Sequence, residues 1–468
     1  MKTRNELSRT IAIVGGGVSG ALTAFHLIRQ NVQAEVILID QRPNFGLGLA
    51  YSTPSLRHLL NVPAGKISAL PNQPRHFLDW LQSHYDPQAT EKTFAPRAVF
   101  GRYIQSLLAE ISGVRQEVAS VVDVQPEANG AAVILGDGRT IQADLVVLAI
   151  GNFDPAPLPG IAPEAIADGV YHHNAWAQET YQDLPDNAPI ALIGTGLTGV
   201  DVVLRLRELG HEGKIIALSR HGIFPNRHAE YTPLGFSAVP LDTPATALAY
   251  LRALRATIKA GAGWRAAIDS IRDTTNALWL RLPLAEQMRF RRHLQRRWDV
   301  VRHRMAPPIA DLIEAELNNK TLVVHEGHLE SVDATPAGAQ VTLRTHEGVE
   351  TFHVDRVINC TGPNMNYRRV NSPLLRKLFD RGIATAGPLG GFHCAENGAL
   401  IDANGQISEV FFNLGPGRLG NLLESIAVPE IRHQAIDLAK TLTMLLMKEI
   451  YPPQSPRTAH TTENQVAA

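Results

Sequence analysis

Continuous apolar segments alternate with amphipathic, helix-forming segments along the first part of the chain. An apolar segment over residues 11–14 runs into a glycine-rich turn, and a helix-forming segment over 21–28 follows it. A second apolar segment covers 35–39. Unbroken apolar segments of this length are typical of strands that are buried on both faces of a parallel sheet. The order strand, helix, strand therefore predicts an α/β fold.

The glycine-rich turn has the spacing of a dinucleotide-binding loop. Gly15 allows the tight turn, Gly17 lets the backbone approach a pyrophosphate, and Gly20 lets the helix pack on the strand. Asp40 ends the second strand, where a carboxylate accepts hydrogen bonds from ribose hydroxyls and repels a 2′-phosphate. These residues predict a site for FAD. The alternative is a glycine-rich helix start beside an ordinary surface aspartate.

A second strand, turn and helix begin near residue 189 and repeat the pattern. The turn contains a complete second set of glycines and a threonine: Gly194, Gly196, Thr198 and Gly199. Ser219 stands at the offset that Asp40 has in the first unit, and Arg220 follows it. Because arginine is the preferred bidentate partner of phosphate, this exchange favours NADPH over NADH. The alternative is that Arg220 is a solvated loop residue.

Other glycines stand where strands end or where loops pass near these units. They are Gly46, Gly48, Gly151, Gly362 and Gly415. Gly46 and Gly48 predict the close approach of a flat ligand, and Gly151 and Gly362 each follow an apolar strand. Gly415 leads towards a helix predicted from about Asn421. We expect the N-terminus of that helix to face the flavin pyrimidine and to stabilise negative charge there.

The order of these units predicts two Rossmann-like domains, one for FAD and one for NADPH, in an α/β protein with a helical insertion. The predicted segments are an FAD-binding domain over 1–153, an NADP-binding domain over 154–362 with a helical insertion at about 240–318, a return to the FAD-binding domain over 363–450, and a disordered tail over 451–468. Most arginines of the insertion are expected on a solvated helix face and in interface ion pairs, while a role for Arg302 and Arg304 at an anionic ligand is left open.

Composition narrows the classes of function. The 468 residues are 44% hydrophobic and 19% charged, which indicates a globular protein of two or three domains. A net charge of −1 gives no field that attracts nucleic acid or a membrane surface. Two cysteines cannot form a disulfide framework and favour a cytoplasmic location. We therefore expect a small-molecule substrate and O2 as partners, without nucleic acid, membrane or metal, and leave an oligomer open.

Several longer motifs resemble the YdhS-like FAD/NAD(P)-binding proteins. These motifs occupy residues 61–68, 94–103, 298–307 and 424–432. The resemblance extends to about residue 440. It implies the FAD and NAD(P) cofactors and leaves the substrate open.

The order of the two dinucleotide units also resembles, more distantly, the class B flavin monooxygenases, which include the N-hydroxylating and Baeyer–Villiger groups. These proteins carry a motif of the form FxGxxxHxxxW or Y between the two units. Here Gly169, His172 and Trp176 keep part of it, but the phenylalanine is missing and two residues separate the glycine from the histidine. The departure argues against Baeyer–Villiger chemistry and leaves a generic monooxygenase. The alternative is a linker whose aromatic residues pack between domains.

Together these features predict an NADPH-consuming flavoprotein monooxygenase that forms a C4a-(hydro)peroxyflavin and oxygenates a small nucleophilic substrate, such as an amine or a sulfur compound. Asn61, expected near the flavin edge, and His172, expected to orient the linker, are the candidate catalytic residues. Residues 41–72 contain no cysteine, which argues against dithiol chemistry. Two alternatives remain, an NAD(P)H:acceptor reductase or oxidase and a non-catalytic flavin redox partner or sensor.

Overall fold

The computed structural model describes residues 9–450, with side chains up to residue 447. Strands β1–β17 span Arg9–Val14, Ala34–Asp40, Val114–Val118, Val121–Glu127, Gly130–Leu135, Thr140–Ala143, Leu145–Leu148, Tyr171–His172, Ile190–Ile193, Ile215–Ser219, Leu322–Glu326, His328–Thr335, Gly338–Arg344, Val349–Val354, Arg356–Asn359, Ala399–Ile401 and Ile407–Asn413. Helices α1–α14 span Val18–Arg29, Gly48–Tyr51, His76–His84, Arg97–Ala109, Pro163–Ala167, Leu197–Glu208, Ala247–Lys259, Trp264–Asp269, Thr275–Arg281, Leu284–His293, Gln295–Arg302, Pro307–Asn318, Pro373–Asp380 and Val428–Ile450.

The first sheet has the strand order β16-β17-β7-β1-β2-β3, and all its strands except β16 run parallel. Its central strand β1 is apolar from Ile11 to Val14, where both faces are covered. Ile11 and Ile13 pack in the core that contains α1, α4 and α14. Ala12 and Val14 pack on the other face, in a core shared with β4–β6 and α13. Alternate residues of one strand thus contribute to two cores.

The second sheet, β11-β10-β9-β15-β8, is parallel and is built like the first. In each unit a three-stranded antiparallel sheet, β4–β6 or β12–β14, precedes the strand that returns to the centre. Gly130 and Gly338 open the middle strands of these small sheets with φ of +112° and +123°. The α/β fold with two Rossmann-like units is confirmed.

Helices α7–α12 lie between β10 and β11, in the segment expected to be a helical insertion. Within residues 9–450 no helix is both long enough and apolar enough to cross a membrane. The tail predicted over 451–468 lies outside the described residues.

The prediction of a long helix from about Asn421 is wrong. Helix α14 begins at Val428, and a short 3-10 helix over Gly415–Gly420 follows β17 instead. Pro429 explains the difference, because proline fits the first turn of a helix but clashes with the preceding turn in a helix interior. The side chain of Asn421 is used elsewhere, since its Nδ2 donates to Cys394 O at 2.9 Å.

Candidate functional site

The first glycine loop connects β1 to α1 and is sterically restricted to glycine. Gly15 has φ of +109°, and a Cβ on it would lie 2.2 Å from Ala149 O, at the end of β7. A Cβ on Gly20 would lie 2.0 Å from Gly15 O. Contacts this short cannot be accommodated, so these glycines let α1 pack directly on the turn.

Asp40 and the following loop converge on the same turn. Asp40 Oδ2 accepts a hydrogen bond from the Gly16 N–H at 2.8 Å. The Gly46 N–H donates to Gly16 O at 2.7 Å. Gly48 has φ of +56°, and a Cβ on Gly17 would lie 3.3 Å from Gly48 Cα. Together with Gly15 and Gly20, the structure thus gathers six of the predicted FAD-site residues around one loop.

The segment after β17 returns to this loop. Gly415 has φ of +75°, and a Cβ on it would lie 2.5 Å from Ser19 Oγ in the first turn of α1. Ser425 Oγ donates to Gly415 O at 2.6 Å and fixes the turn. Gly151, which follows the end of β7, has φ of +69° and open space around its Cβ position. Gly415 therefore lies beside the first turn of α1, and Gly151 follows the backbone of Ala149 and Ile150 that Gly15 approaches.

The second glycine loop reproduces the geometry of the first. A Cβ on Gly194 would lie 2.6 Å from Cys360 O, and a Cβ on Gly199 would lie 2.5 Å from Gly194 O. Gly196, at the start of α6, has no described atom within 4 Å of its Cβ position, and the same is true of Gly362. The loop therefore leaves a cradle that a side chain would fill. This fits the close approach of a dinucleotide phosphate.

Ser219 holds the end of β10 against this loop. Ser219 Oγ lies 2.9 Å from Thr195 Oγ1 and accepts a hydrogen bond from the Gly222 N–H at 3.0 Å. Thr198 is half-buried in the first turn of α6. Arg220 is exposed beside them, so its guanidinium is available to an anionic ligand.

Arg296 was missed by the sequence analysis. It belongs to α11 of the helical insertion, and its Nη2 donates to Thr195 O at 3.2 Å and to Thr195 Oγ1 at 3.0 Å. Burial lowers the pKa of Arg296, and the nearby charge of Arg220 lowers it further. Two guanidinium groups from distant parts of the chain therefore lie at the second loop. Nothing in the local sequence separates Arg296 from its neighbouring arginines.

Asn61 lies where the first domain meets the chain that leads into the insertion. His228 Nε2 donates to Asn61 O at 2.9 Å. Burial lowers the pKa of His228 to about 4, and the charge of Arg304 contributes. Lys66 Nζ lies 5.8 Å from the centre of the Tyr231 ring. The loop that carries Asn61 is thus fixed by two contacts with residues 228–231.

His172 and Trp176 have different surroundings. His172 lies on the edge strand β8, opposite Ile358 of β15, and its buried Nε2 has no hydrogen-bond partner among residues 9–450. Burial lowers the pKa of His172. Trp176 instead stacks on Arg97 of α4, 5.5 Å from its guanidinium carbon, and meets the edge of His58. The position of Trp176 favours packing between the domains.

Buried ion pairs connect the insertion to the first turn of α14 and to the segment before it. Arg302 Nε lies 3.1 Å from Glu424 Oε1, and the two side chains are only 7% and 4% exposed. Arg272 reaches Glu430, in the first turn of α14, at 3.6 Å, whereas Arg304 pairs with Asp269 inside the insertion. Glu424 therefore neutralises a buried arginine rather than interacting with a helix dipole.

The expectation of a solvated arginine face holds for part of the insertion. The exposed members are Arg281, Arg289, Arg292 and Arg297. The expectation of solvation is wrong for Arg291 and Arg296, which are half-buried, whereas Arg302 and Arg304, for which the question was left open, are buried in ion pairs.

Both cysteines are free and buried. Burial raises the pKa of Cys394 to about 11 and also raises that of Cys360. Across residues 9–450 no group of three or more His, Cys, Asp or Glu side chains is placed to hold a metal ion. The cysteines thus serve as small apolar core residues.

Comparisons with known proteins agree with this geometry. Residues 12–153 match a family model described as FAD-NAD(P)-binding. In sequence, the chain is 24% identical over 243 residues to the uncharacterized protein YdhS of Escherichia coli strain K12. That match covers 47% of this chain and 43% of YdhS, so the similar segment spans less than half of the relative.

Solved structures share the fold over nearly the whole chain. The reduced form of the ornithine hydroxylase PvdA from Pseudomonas aeruginosa has a TM-score of 0.65 at 16% identity, covering 94% of this chain and 100% of its own. The ornithine N-hydroxylase KtzI of Kutzneria sp. 744, solved with reduced FAD, NADP+ and L-ornithine, has a TM-score of 0.61 at 14% identity, covering 93% and 99%.

The fold also occurs in a reductase. The bacillithiol disulfide reductase of Bacillus cereus has a TM-score of 0.52 at 16% identity, covering 93% of this chain and 99% of its own. At these identities the structures establish the fold alone. The chain is therefore similar in sequence to YdhS, carries an FAD-NAD(P)-binding segment, and has the two-domain fold of flavin-dependent hydroxylases and reductases.

Proposed function

We propose that this protein is an FAD-dependent, NADPH-consuming monooxygenase that acts on a small nucleophilic substrate. One observation carries the proposal. The two glycine loops have the same geometry, but the strand that follows each loop and its helix ends in a different residue, Asp40 at the end of β2 and Ser219 at the end of β10. Asp40 contacts the first loop through Gly16, whereas Ser219 contacts the second through Thr195. The carboxylate of Asp40 suits a ribose without a 2′-phosphate, whereas Ser219, which has no negative charge, suits a ribose that carries one.

The first loop would hold FAD. The open N-terminus of α1 at Gly17 provides N–H groups for the pyrophosphate, and the Asp40 carboxylate accepts hydrogen bonds from ribose hydroxyls. When bound, a flavin supplies two-electron chemistry with a nicotinamide and with oxygen. Because the flavin carries the chemistry, these residues bind and orient it rather than transfer protons.

The second loop would hold NADPH. The cradle at Gly196 admits the phosphates, and the exposed Arg220 pairs with a 2′-phosphate. Arg296 holds the loop through Thr195 and adds a second positive charge. Both charges attract the phosphorylated cofactor more strongly than NADH.

The remaining contacts would keep the two cofactors together and keep water out. Trp176 is packed against Arg97 and His58, between the two units. The Arg302–Glu424 pair holds the insertion on the segment that returns to the first loop. We retain Asn61 and His172 as predicted site residues. A cytoplasmic location and O2 as a partner also remain predictions.

Two observations favour oxygenation over disulfide reduction. Both cysteines are buried, and burial raises the pKa of each thiol, which leaves neither as a reactive thiolate. The ornithine hydroxylases also match the fold with higher TM-scores than the bacillithiol disulfide reductase.

Stoichiometry tests the proposal. The FAD-loaded protein is mixed with NADPH and oxygen, and NADPH consumed, peroxide released and oxygenated product are measured for a panel of amines and thioethers. We expect at least one substrate to give product and to reduce the peroxide per NADPH. If one peroxide were released per NADPH consumed with every substrate, the protein would be an oxidase. Anaerobic turnover with an added electron acceptor would indicate a reductase, and the absence of turnover would indicate a redox partner. The variant Gly199→Ala, which clashes with Gly194 O, is the control that loses NADPH oxidation.

A further inference from the structure

We propose that the helical insertion contains a binding site for a small aromatic carboxylate. The proposal does not rest on the monooxygenase function. A cavity of about 380 Å³ lies among α7, α8, α9, α10 and α11. This volume lies within the range of small-molecule sites.

The interior of the cavity suits a flat apolar body. Its wall contains five aromatic side chains, Tyr250, Trp264, Trp279, Phe290 and Trp298. Leu278 and Leu282 also line it and are buried. The helices thus surround a space lined by rings and aliphatic groups, beside the small core that contains Ala267, Ile271 and Leu278. Aromatic ligands are favoured in such a space because they stack on or meet the edges of the rings.

One polar atom in this wall lacks a partner. Trp279 is 2% exposed, and its buried Nε1 has no hydrogen-bond partner among residues 9–450. By contrast, the hydroxyl of Tyr250 donates to Leu278 O at 3.2 Å. A buried donor without an acceptor is costly, and an acceptor atom on a bound ligand would satisfy it.

The charges along the cavity have one sign. Arg255 and Arg297 line it and are exposed, so they lie at its open side, and its lining contains no Asp or Glu. Neither Arg255 nor Arg297 has an ion-pair partner within the described part of the chain. A carboxylate accepts paired hydrogen bonds from a guanidinium, whereas an ammonium group is repelled. The site therefore selects an anion over a cationic amino acid.

Helix α8 carries two residues that line the cavity and one residue of a buried ion pair. Trp264 and Ile268 line the cavity, whereas Asp269, the next residue, pairs with Arg304 and accepts a hydrogen bond from Tyr231. The guanidinium carbon of Arg304 lies 5.9 Å from the centre of the Trp264 ring, so this ion pair borders the cavity wall. Binding is measurable without NADPH and without turnover.

Three probes with the same bicyclic ring test the charge selection: 2-naphthoate, 2-naphthalenemethanol and 2-naphthylmethylamine. Each is titrated calorimetrically into the FAD-loaded protein without NADPH. We expect 2-naphthoate to bind at least about fivefold more tightly than the alcohol, because its carboxylate forms ion pairs with Arg255 and Arg297 near the surface. The amine should bind most weakly. Quenching of tryptophan fluorescence should follow the same order.

Variants locate the site. Arg255→Gln combined with Arg297→Gln should weaken 2-naphthoate about fivefold and leave the alcohol unchanged. Arg252→Gln is the matched control, because Arg252 is exposed on the same helix and does not line the cavity. Leu254→Trp fills the cavity and should abolish binding of both probes, with retained FAD and circular dichroism as the test of folding.

Other outcomes would overturn the proposal. One is equal affinity for 2-naphthoate and the alcohol, and another is an effect of the double arginine variant no larger than that of Arg252→Gln. A third is undiminished binding to a folded Leu254→Trp variant. The fourth is a dimer, detected by analytical ultracentrifugation, that does not bind 2-naphthoate, because the partner copy would then fill the cavity. Loss of NADPH turnover with intact naphthoate binding would remove the proposed function and leave this inference standing.

Discussion

Arg97 and Asp201 form an ion pair that joins the two dinucleotide-binding units. Arg97 Nη2 lies 2.9 Å from Asp201 Oδ2, and the two side chains are 18% and 12% exposed. Arg97 begins α4 of the first unit, whereas Asp201 lies on α6, which starts at the second glycine loop. The orientation of α6 relative to the first unit therefore depends on this pair.

Removing one partner of this pair should destabilise the protein. We expect Asp201→Asn to lower the free energy of unfolding by about 2 kcal/mol, because it leaves the Arg97 charge largely buried and unpaired. Denaturant unfolding measures the change. Arg102→Gln, an exposed arginine on the same helix, should change stability by less than about 0.5 kcal/mol. Equal effects of the two variants would show that the pair contributes nothing.

The cradle at Gly196 allows a test that separates ligand contact from folding. Gly196→Ala meets no described atom within 4 Å, so stability and FAD content should be unchanged. The KM for NADPH should rise about tenfold, because the new methyl group occupies the space beside the phosphates. Gly235→Ala, which also has open space around its Cβ position, is the control. An unchanged KM would remove the second loop from the NADPH site.

The preference for NADPH should depend on Arg220. We expect Arg220→Gln to lower kcat/KM for NADPH about tenfold, the loss of one charge-assisted pair, and to leave kcat/KM for NADH nearly unchanged. Steady-state kinetics with both cofactors measures the ratio. Arg281→Gln removes an exposed arginine elsewhere in the second domain and should alter neither value. Equal losses with NADH and NADPH would argue against a 2′-phosphate contact.

FAD retention should depend on Asp40. We expect Asp40→Ala to weaken FAD binding at least about tenfold, because it removes both the ribose acceptor and the bond that holds Gly16. The measurement is the flavin-to-protein ratio after dialysis. Asp79→Ala, at an exposed aspartate of α3, should keep the flavin. Retention by both variants would contradict the assignment of the first site.

Stability should fall in mild acid in part through His228. Its pKa is about 4 in the folded protein, against about 6.5 when unperturbed, chiefly because of burial. The unfolded chain therefore binds more protons between these values. The contribution of His228 is complete above about pH 6.5 and is lost as the pH falls towards 4.

His228→Gln should make this pH dependence shallower, as measured by denaturant unfolding at pH 7 and pH 5. His26, whose pKa burial also lowers to about 4, should keep part of the slope. His84→Gln, at an exposed histidine, is the control and should leave the slope unchanged. A slope unaltered in both variants would show that His228 titrates normally.

The sequence allowed prediction where local sterics decide the structure. Gly20 and Gly199 each contact the first glycine of their own loop, so spacing alone indicates their positions. Asp40 lies at the end of a neighbouring parallel strand, and a fixed offset along the chain was enough to find it.

Contacts between distant segments were not predictable in this way. Arg296 reaches Thr195 only because the insertion folds back on the second loop. Glu424 likewise meets Arg302 only because the insertion packs on the segment before α14. Pro429 indicates a helix start near Val428, but the glycines at 415 and 417 suggested a start near Asn421. Long arginine and glutamate side chains give no periodic signal that identifies a distant partner.

The position of β17 has a consequence for synthesis of the chain. Phe411 in β17 pairs with Val146 in β7, so the first sheet is completed by residues that follow the whole second unit. The strands of the second sheet, by contrast, all lie between Tyr171 and Asn359. During translation, all strands of the second sheet are therefore synthesised before the last two strands of the first sheet. Until β17 emerges, β7 has an exposed edge, and the nascent first unit is then most open to aggregation and to chaperones.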